Sequence, residues 1–100
     1  MHRGTTPTHT FTLPFDTSIV SQARIVYSQL CCVVLVKTGE DLVMEGNTIR
    51  VRLTQEETLA FNCSHPVEIQ LRILTMAGDV QNSDIVKVSV KRCLENEVMA

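Results

Sequence analysis

Tryptophan is absent from this chain, and one tyrosine and three phenylalanines are its only other large rings in 100 residues. A module that grips sugars by ring stacking needs exposed aromatics, and only Tyr27 is available for that role. An excess of one charge is also lacking. Nine Lys and Arg stand against eleven Asp and Glu, a formal net charge of -2, so there is no electrostatic footprint for nucleic acid. No apolar run approaches the roughly 18 residues that span a bilayer, and Met1 to Pro7 lacks the apolar stretch of a secretory signal. The expectation is a protein made in the cytoplasm with no membrane or nucleic-acid partner. The four cysteines, Cys31, Cys32, Cys63 and Cys93, contain no Cys-x-x-Cys spacing. They are expected to be reduced, partly buried and to act as small apolar residues rather than as ligands.

What remains is rich in aliphatic residues. Val, Ile and Leu must build the core, and the β-branched pair among them favours strands. The length suits one two-layer domain, placed at residues 8–93, with 1–7 as a loose polar arm and 94–100 as a trailing tail. Thr8 to Phe15 alternates, with Phe11, Leu13 and Phe15 on one side. Pro14 donates no ladder bond, so this strand lies at a sheet edge or stops near it.

Ile19 to Leu30 fits both a helical and a strand period; the β-branched and aromatic density at Ile25, Val26 and Tyr27 decides for a strand over Ala23 to Gln29. Cys31 to Lys37 is apolar on both faces, Val33 and Leu35 on one side with Lys37, and Cys32, Val34 and Val36 on the other. Such a strand is expected to be covered twice, by the arm or by a partner chain, and Cys32, Val34, Val36 and Tyr27 are the candidate interface. Leu42 to Glu45 and Thr48 to Thr54 follow as strands around Gly46-Asn47. Val67 to Leu74 is the clearest strand, turned at Ala77-Gly78-Asp79, and the return runs to Arg92 with Val86, Val88 and Val90 inward and a bulge near Asn82-Ser83.

One stretch breaks the alternation. Thr54 followed three residues later by Glu57 has capping-box spacing, so Thr54 to Phe61 reads as a one-turn helical corner between sheets, with Leu59 and Phe61 returning to the core and Glu56 left to solvent. About seven short strands and one corner make an antiparallel, two-sheet, immunoglobulin-like β-sandwich the expected fold.

No constellation calls for chemistry. Cys63 and His65, with His2 and His9, have no metal-site spacing; Glu56 and Glu57 diverge on a turn; and no Gly-x-Ser-x-Gly elbow positions a serine. Arg50, Arg52, Arg72, Lys87 and Lys91 are expected on outer faces, paired across strands with Glu56, Glu57, Glu68 and Asp84. No catalytic residue, metal or cofactor is expected.

The segment Thr8 to Asp16 (THTFTLPFD), the corner Leu53 to Phe61 (LTQEETLAF) and the hairpin from Val67 through Ala77-Gly78-Asp79 to Ser89 together resemble small proteins encoded in phages and prophages of Gram-positive bacteria. They are similar in kind to the amino-terminal β-sandwich domain of phage baseplate upper proteins. The resemblance implies a fold and a setting: a non-enzymatic tail or baseplate module that is virion-associated and binds other phage proteins or its own copies. It carries over no active-site residue. A free-standing carbohydrate-binding sandwich is the alternative.

Overall fold

The apolar–polar alternation folds into strands throughout, and the computed structural model describes residues 1–95 and 97–99. The strands are β1 (Thr8–Thr12), β2 (Val20–Gln29), β3 (Cys32–Thr38), β4 (Leu42–Glu45), β5 (Thr48–Arg52), β6 (Val67–Thr75), β7 (Val80–Asn82) and β8 (Val86–Val88). One α-helix, α1 (Gln55–Leu59), and two 3-10 turns at Thr17–Ile19 and Gly39–Asp41 complete the regular structure of the described residues. The ambiguous segment before Leu30 is a strand, as its β-branched density requires.

Two antiparallel sheets pack face to face. One has the order β1-β5-β4; the other runs β3-β2-β6, with β7 and β8 pairing in turn along the far side of β6. In immunoglobulin lettering these are B-E-D and C′-C-F-G, and α1 occupies the corner between E and F. The strand that would flank β1 as A is not paired there. In the ladder between β1 and β5, Leu13 N–H donates to the Asn47 carbonyl and Leu53 N–H to that of Pro7, so the odd-numbered residues face β5. The backbone groups of Thr8, Thr10 and Thr12 therefore point to the open edge, and Pro14, next in that series, has no N–H to offer.

The core lies between the sheets. Ile25 and Tyr27 of β2, Ile49 and Val51 of β5, Leu53, Phe61 and Val67 are almost wholly removed from water. Val67, Ile69, Leu71 and Ile73 give β6 one fully buried face, the alternation that made it legible. Burying each such aliphatic side chain contributes about 1.5–3 kcal/mol, so β6 alone supplies much of the driving force.

The return after β6 is interrupted. Arg72 opposes Asn82 while Ile69 opposes Val86, so one extra residue lies on the returning side. Ser83 sits in that bulge and repairs it: its N–H donates to the Leu71 carbonyl, and its Oγ accepts from the Leu71 N–H at 2.9 Å.

The amino-terminal segment differs from expectation. Residues 1–7 are not loose: His2 bridges in parallel to Lys91, Lys91 N–H donates to the Met1 carbonyl, and Arg3 N–H donates to the Lys91 carbonyl at 2.9 Å. The Arg3 guanidinium also donates to the Leu59 carbonyl and the Thr58 hydroxyl to the Thr5 carbonyl, tying the segment to α1. Its polarity suggested an arm, but those polar groups are spent on the backbone of neighbouring elements. The expected tail, 94–100, includes Asn96 and Ala100, which lie outside the described residues; within it Met99 exchanges two hydrogen bonds with the Gln55 side chain of α1.

Candidate interaction surface

The outer face of the larger sheet is built in rows that the pairing register defines. Gln22, Leu74 and Val80 form one row; Thr38, Arg24, Arg72 and Asn82 the next; then Val36, Val26 and Gln70; then Val33, Ser28, Glu68 and Lys87. The strand β3 lies at the sheet edge, and its outward residues are open to water: Val33 is 62% exposed, Val34 36% and Val36 41%. With half-buried Val26 they make a continuous aliphatic band that no segment of the described chain covers.

Two of the four expected interface residues, Val34 and Val36, belong to this band. The other two do not. Tyr27 opposes Leu35 and Ser28 opposes Val33, which leaves Val34 as an extra residue in β3. That bulge reverses the parity beyond it, so Cys32 falls opposite inward-facing Gln29 rather than with Val36, and Val33 joins the outer face instead. Tyr27 is fully buried.

Burial of Tyr27 is part of a cross-sheet stack. Its ring lies between His9 of β1 and Phe61, with centroids 5.7 and 5.9 Å away. Its hydroxyl is 2.7 Å from His9 Nδ1. Burial, and then the nearby Glu57 charge, raise the Tyr27 phenol above its ordinary range, so it keeps its proton. Burial also lowers the His9 imidazole, with the positive amino terminus adding to the effect. The bond thus joins two uncharged groups, and either can donate in it, the phenol O–H or the imidazole N–H, according to the His9 tautomer.

The corner also holds charge. Thr54 Oγ1 accepts from the Glu57 N–H at 3.1 Å, and Glu57 Oε1 accepts from the Thr54 N–H at 2.8 Å, the reciprocal bonds that the spacing predicts. The other carboxylate oxygen lies 2.7 Å from Lys37 Nζ, and Lys37, an inward residue of β3, is buried. Burial alone would push the Glu57 carboxyl up; the Lys37 ammonium and the Thr54 groups more than offset it and hold it below its usual range. The sequence signal for this pair was the inward parity of Lys37 with Leu35, which marks a buried cation and does not name its acid.

The basic residues divide between faces. Arg50 and Arg52 lie on the smaller sheet, Arg72 and Lys87 on the larger. Of the cross-strand ion pairs expected for them, Arg50 makes one, at 3.1 Å, but with Glu45 of the neighbouring β4 rather than with the acids expected, while Arg72 binds the neutral Asn82 side chain. Three cysteines, Cys31, Cys32 and Cys63, are exposed rather than partly buried, because they occupy a tight turn, the start of an edge strand and a loop; all four are free thiols, and only Cys93 is half-buried. Among the described residues no group of three or more His, Cys, Asp or Glu is placed to hold a metal, and Cys63 and His65 stay on their loop. Among them, too, no helix is long and apolar enough to cross a membrane.

Comparison with protein-family models and with curated proteins finds no match to this chain. Fold and surface therefore define its class: an all-β, immunoglobulin-like sandwich with an uncovered aliphatic band on one sheet.

Proposed function

We propose that this chain is a non-enzymatic protein-interaction module, associated with a phage or prophage tail or baseplate, that docks through the outer face of β3. The observation that carries the reading is the band of Val33, Val34 and Val36, continued by Val26, on a rigid sheet edge. Aliphatic side chains on a fixed strand lose little conformational freedom when covered, so a partner gains most of the transfer free energy of that area. The tail or baseplate setting is drawn from the resemblance of the segments at Thr8 to Asp16, Leu53 to Phe61 and Val67 to Ser89.

The carbohydrate-binding alternative loses its one stacking residue, since Tyr27 is buried and Phe11 and Phe15 are half-buried against the core. The test is fractionation of an epitope-tagged chain from an induced lysogen that carries it. The wild-type chain should sediment with tail particles, and a Val34→Lys, Val36→Lys variant that folds normally by circular dichroism should remain at the top of the gradient. A wild-type chain found only at the top would sink the reading.

A further inference from the structure

Beside the aliphatic band lies a charge arrangement that the fold does not explain. Arg24 of β2 and Arg72 of β6 are direct cross-strand partners on the outer face. Like charges in that position repel and weaken the sheet. No acid relieves them: among the described residues neither arginine is in an ion pair, and Arg24 makes no side-chain hydrogen bond. Arg72 is oriented by the Asn82 side chain, whose Oδ1 accepts from Nε at 3.1 Å without supplying charge. The nearest acid on the same face of β6, Glu68, stands opposite Lys87. Between the arginines and the row above them is a depression of about 190 Å³ lined by Gln22, Arg24, Arg72, Ile73, Leu74 and Val80.

We infer that the Arg24–Arg72 pair is the polar anchor of the docking surface and that its occupant is a protein segment carrying carboxylates flanked by aliphatic side chains. The inference rests on the interaction reading above and specifies the partner's chemistry. Charge complementarity selects the occupant. Two arginines at directly paired positions offer forked donors that match carboxylates, and the rows on either side add aliphatic contact from Leu74 with Val80 and from Val26 with Val36, beside the uncharged Gln22 and Gln70. A second copy is disfavoured as the occupant, because a two-fold contact centred on this row would bring four guanidiniums together.

The probe is a fluorescein-labelled peptide of alternating Glu and Val, with Lys/Val and Glu/Ser peptides and inorganic phosphate beside it, titrated by fluorescence anisotropy. The Glu/Val peptide should bind saturably and the Lys/Val peptide should not. An Arg24→Gln, Arg72→Gln variant should lose about tenfold or more in affinity while its unfolding midpoint is not lowered, and salt near 0.5 M should weaken wild-type binding. No saturable binding of the Glu/Val peptide, equal binding by the double variant, or equal binding of Glu/Ser and displacement by phosphate alone would overturn it, the last indicating a simple anion site. The two readings fail separately. If the double variant still sediments with tail particles and binds the peptide as wild type does, this inference falls and the interaction reading stands; if the wild-type chain never joins the particles, the interaction reading falls whatever the peptide does.

Discussion

Glu57 serves two partners at once, and only one of them could be read from its neighbours in sequence. Its place three residues after Thr54 specified the reciprocal cap, which the helix makes. Its bond to Lys37 depends on how β3 is folded over α1, twenty residues apart in sequence, and no local pattern encodes that. Gln at this position keeps a cap acceptor but removes the countercharge of a buried ammonium. Glu57→Gln should therefore destabilise the fold by about 2 kcal/mol, against about 1 kcal/mol for Thr54→Ala, which removes only the cap. Lys37→Met in the Glu57→Gln background should recover much of the loss, and urea unfolding of the cycle reads the coupling. Because the folded carboxyl titrates below its ordinary value of 4.5, its contribution is present above that value and disappears as pH falls through the lower folded one. A cycle with no coupling at neutral pH would remove the ion pair from the account.

At the scale of elements, the strands with one buried face were the legible ones. Val67 to Ile73 alternates without a fault, and β6 is found over the expected Val67 to Leu74, one residue longer; Leu42 to Glu45 matches β4 end to end. What alternation could not express is parity after a bulge, which is why Cys32 and Val33 exchange faces in β3. The β2–β3 turn was also invisible, since its two central residues are Leu30 and Cys31, both with positive φ (52° and 63°), where hairpins of this kind ordinarily use Asn and Gly. Side chains with a Cβ are strained in that conformation by about 1–2 kcal/mol per residue. Replacing the pair by Asn-Gly should raise stability by roughly 1 kcal/mol after the entropy of Gly is counted. The check is the thermal midpoint of the Leu30→Asn, Cys31→Gly variant; an unchanged or lower midpoint would mean that the turn's side chains contribute contacts that offset the strain.

At the scale of the whole molecule, the segment that composition marked as a loose arm is tied into the sandwich by hydrogen bonds. Polar, threonine-rich residues at a chain end read as an arm because they cannot build a core, yet here they bond to the backbone of Ser89 and Lys91, just past β8, and to α1. Gly4 makes that path possible: its φ is +76°, and a Cβ there would come within 3.3 Å of Cys93 Sγ and 3.5 Å of a Leu59 methyl. Deleting residues 1–4 removes several backbone hydrogen bonds, each with a net contribution of about 0.5–1.5 kcal/mol, together with the packing of Met1 on the core. The truncated chain should lose about 2 kcal/mol or more of stability, and Gly4→Ala, which leaves every donor and acceptor in place, about half of that through strain alone. Hydrogen exchange supplies the second readout: the amide of Lys91, which donates to Met1, should lose its protection in the truncated chain while the amides of β6 keep theirs. An arm that merely trails would change neither the stability nor the Lys91 exchange rate, so equal values in the intact and truncated chains would return residues 1–7 to the role that their composition suggests.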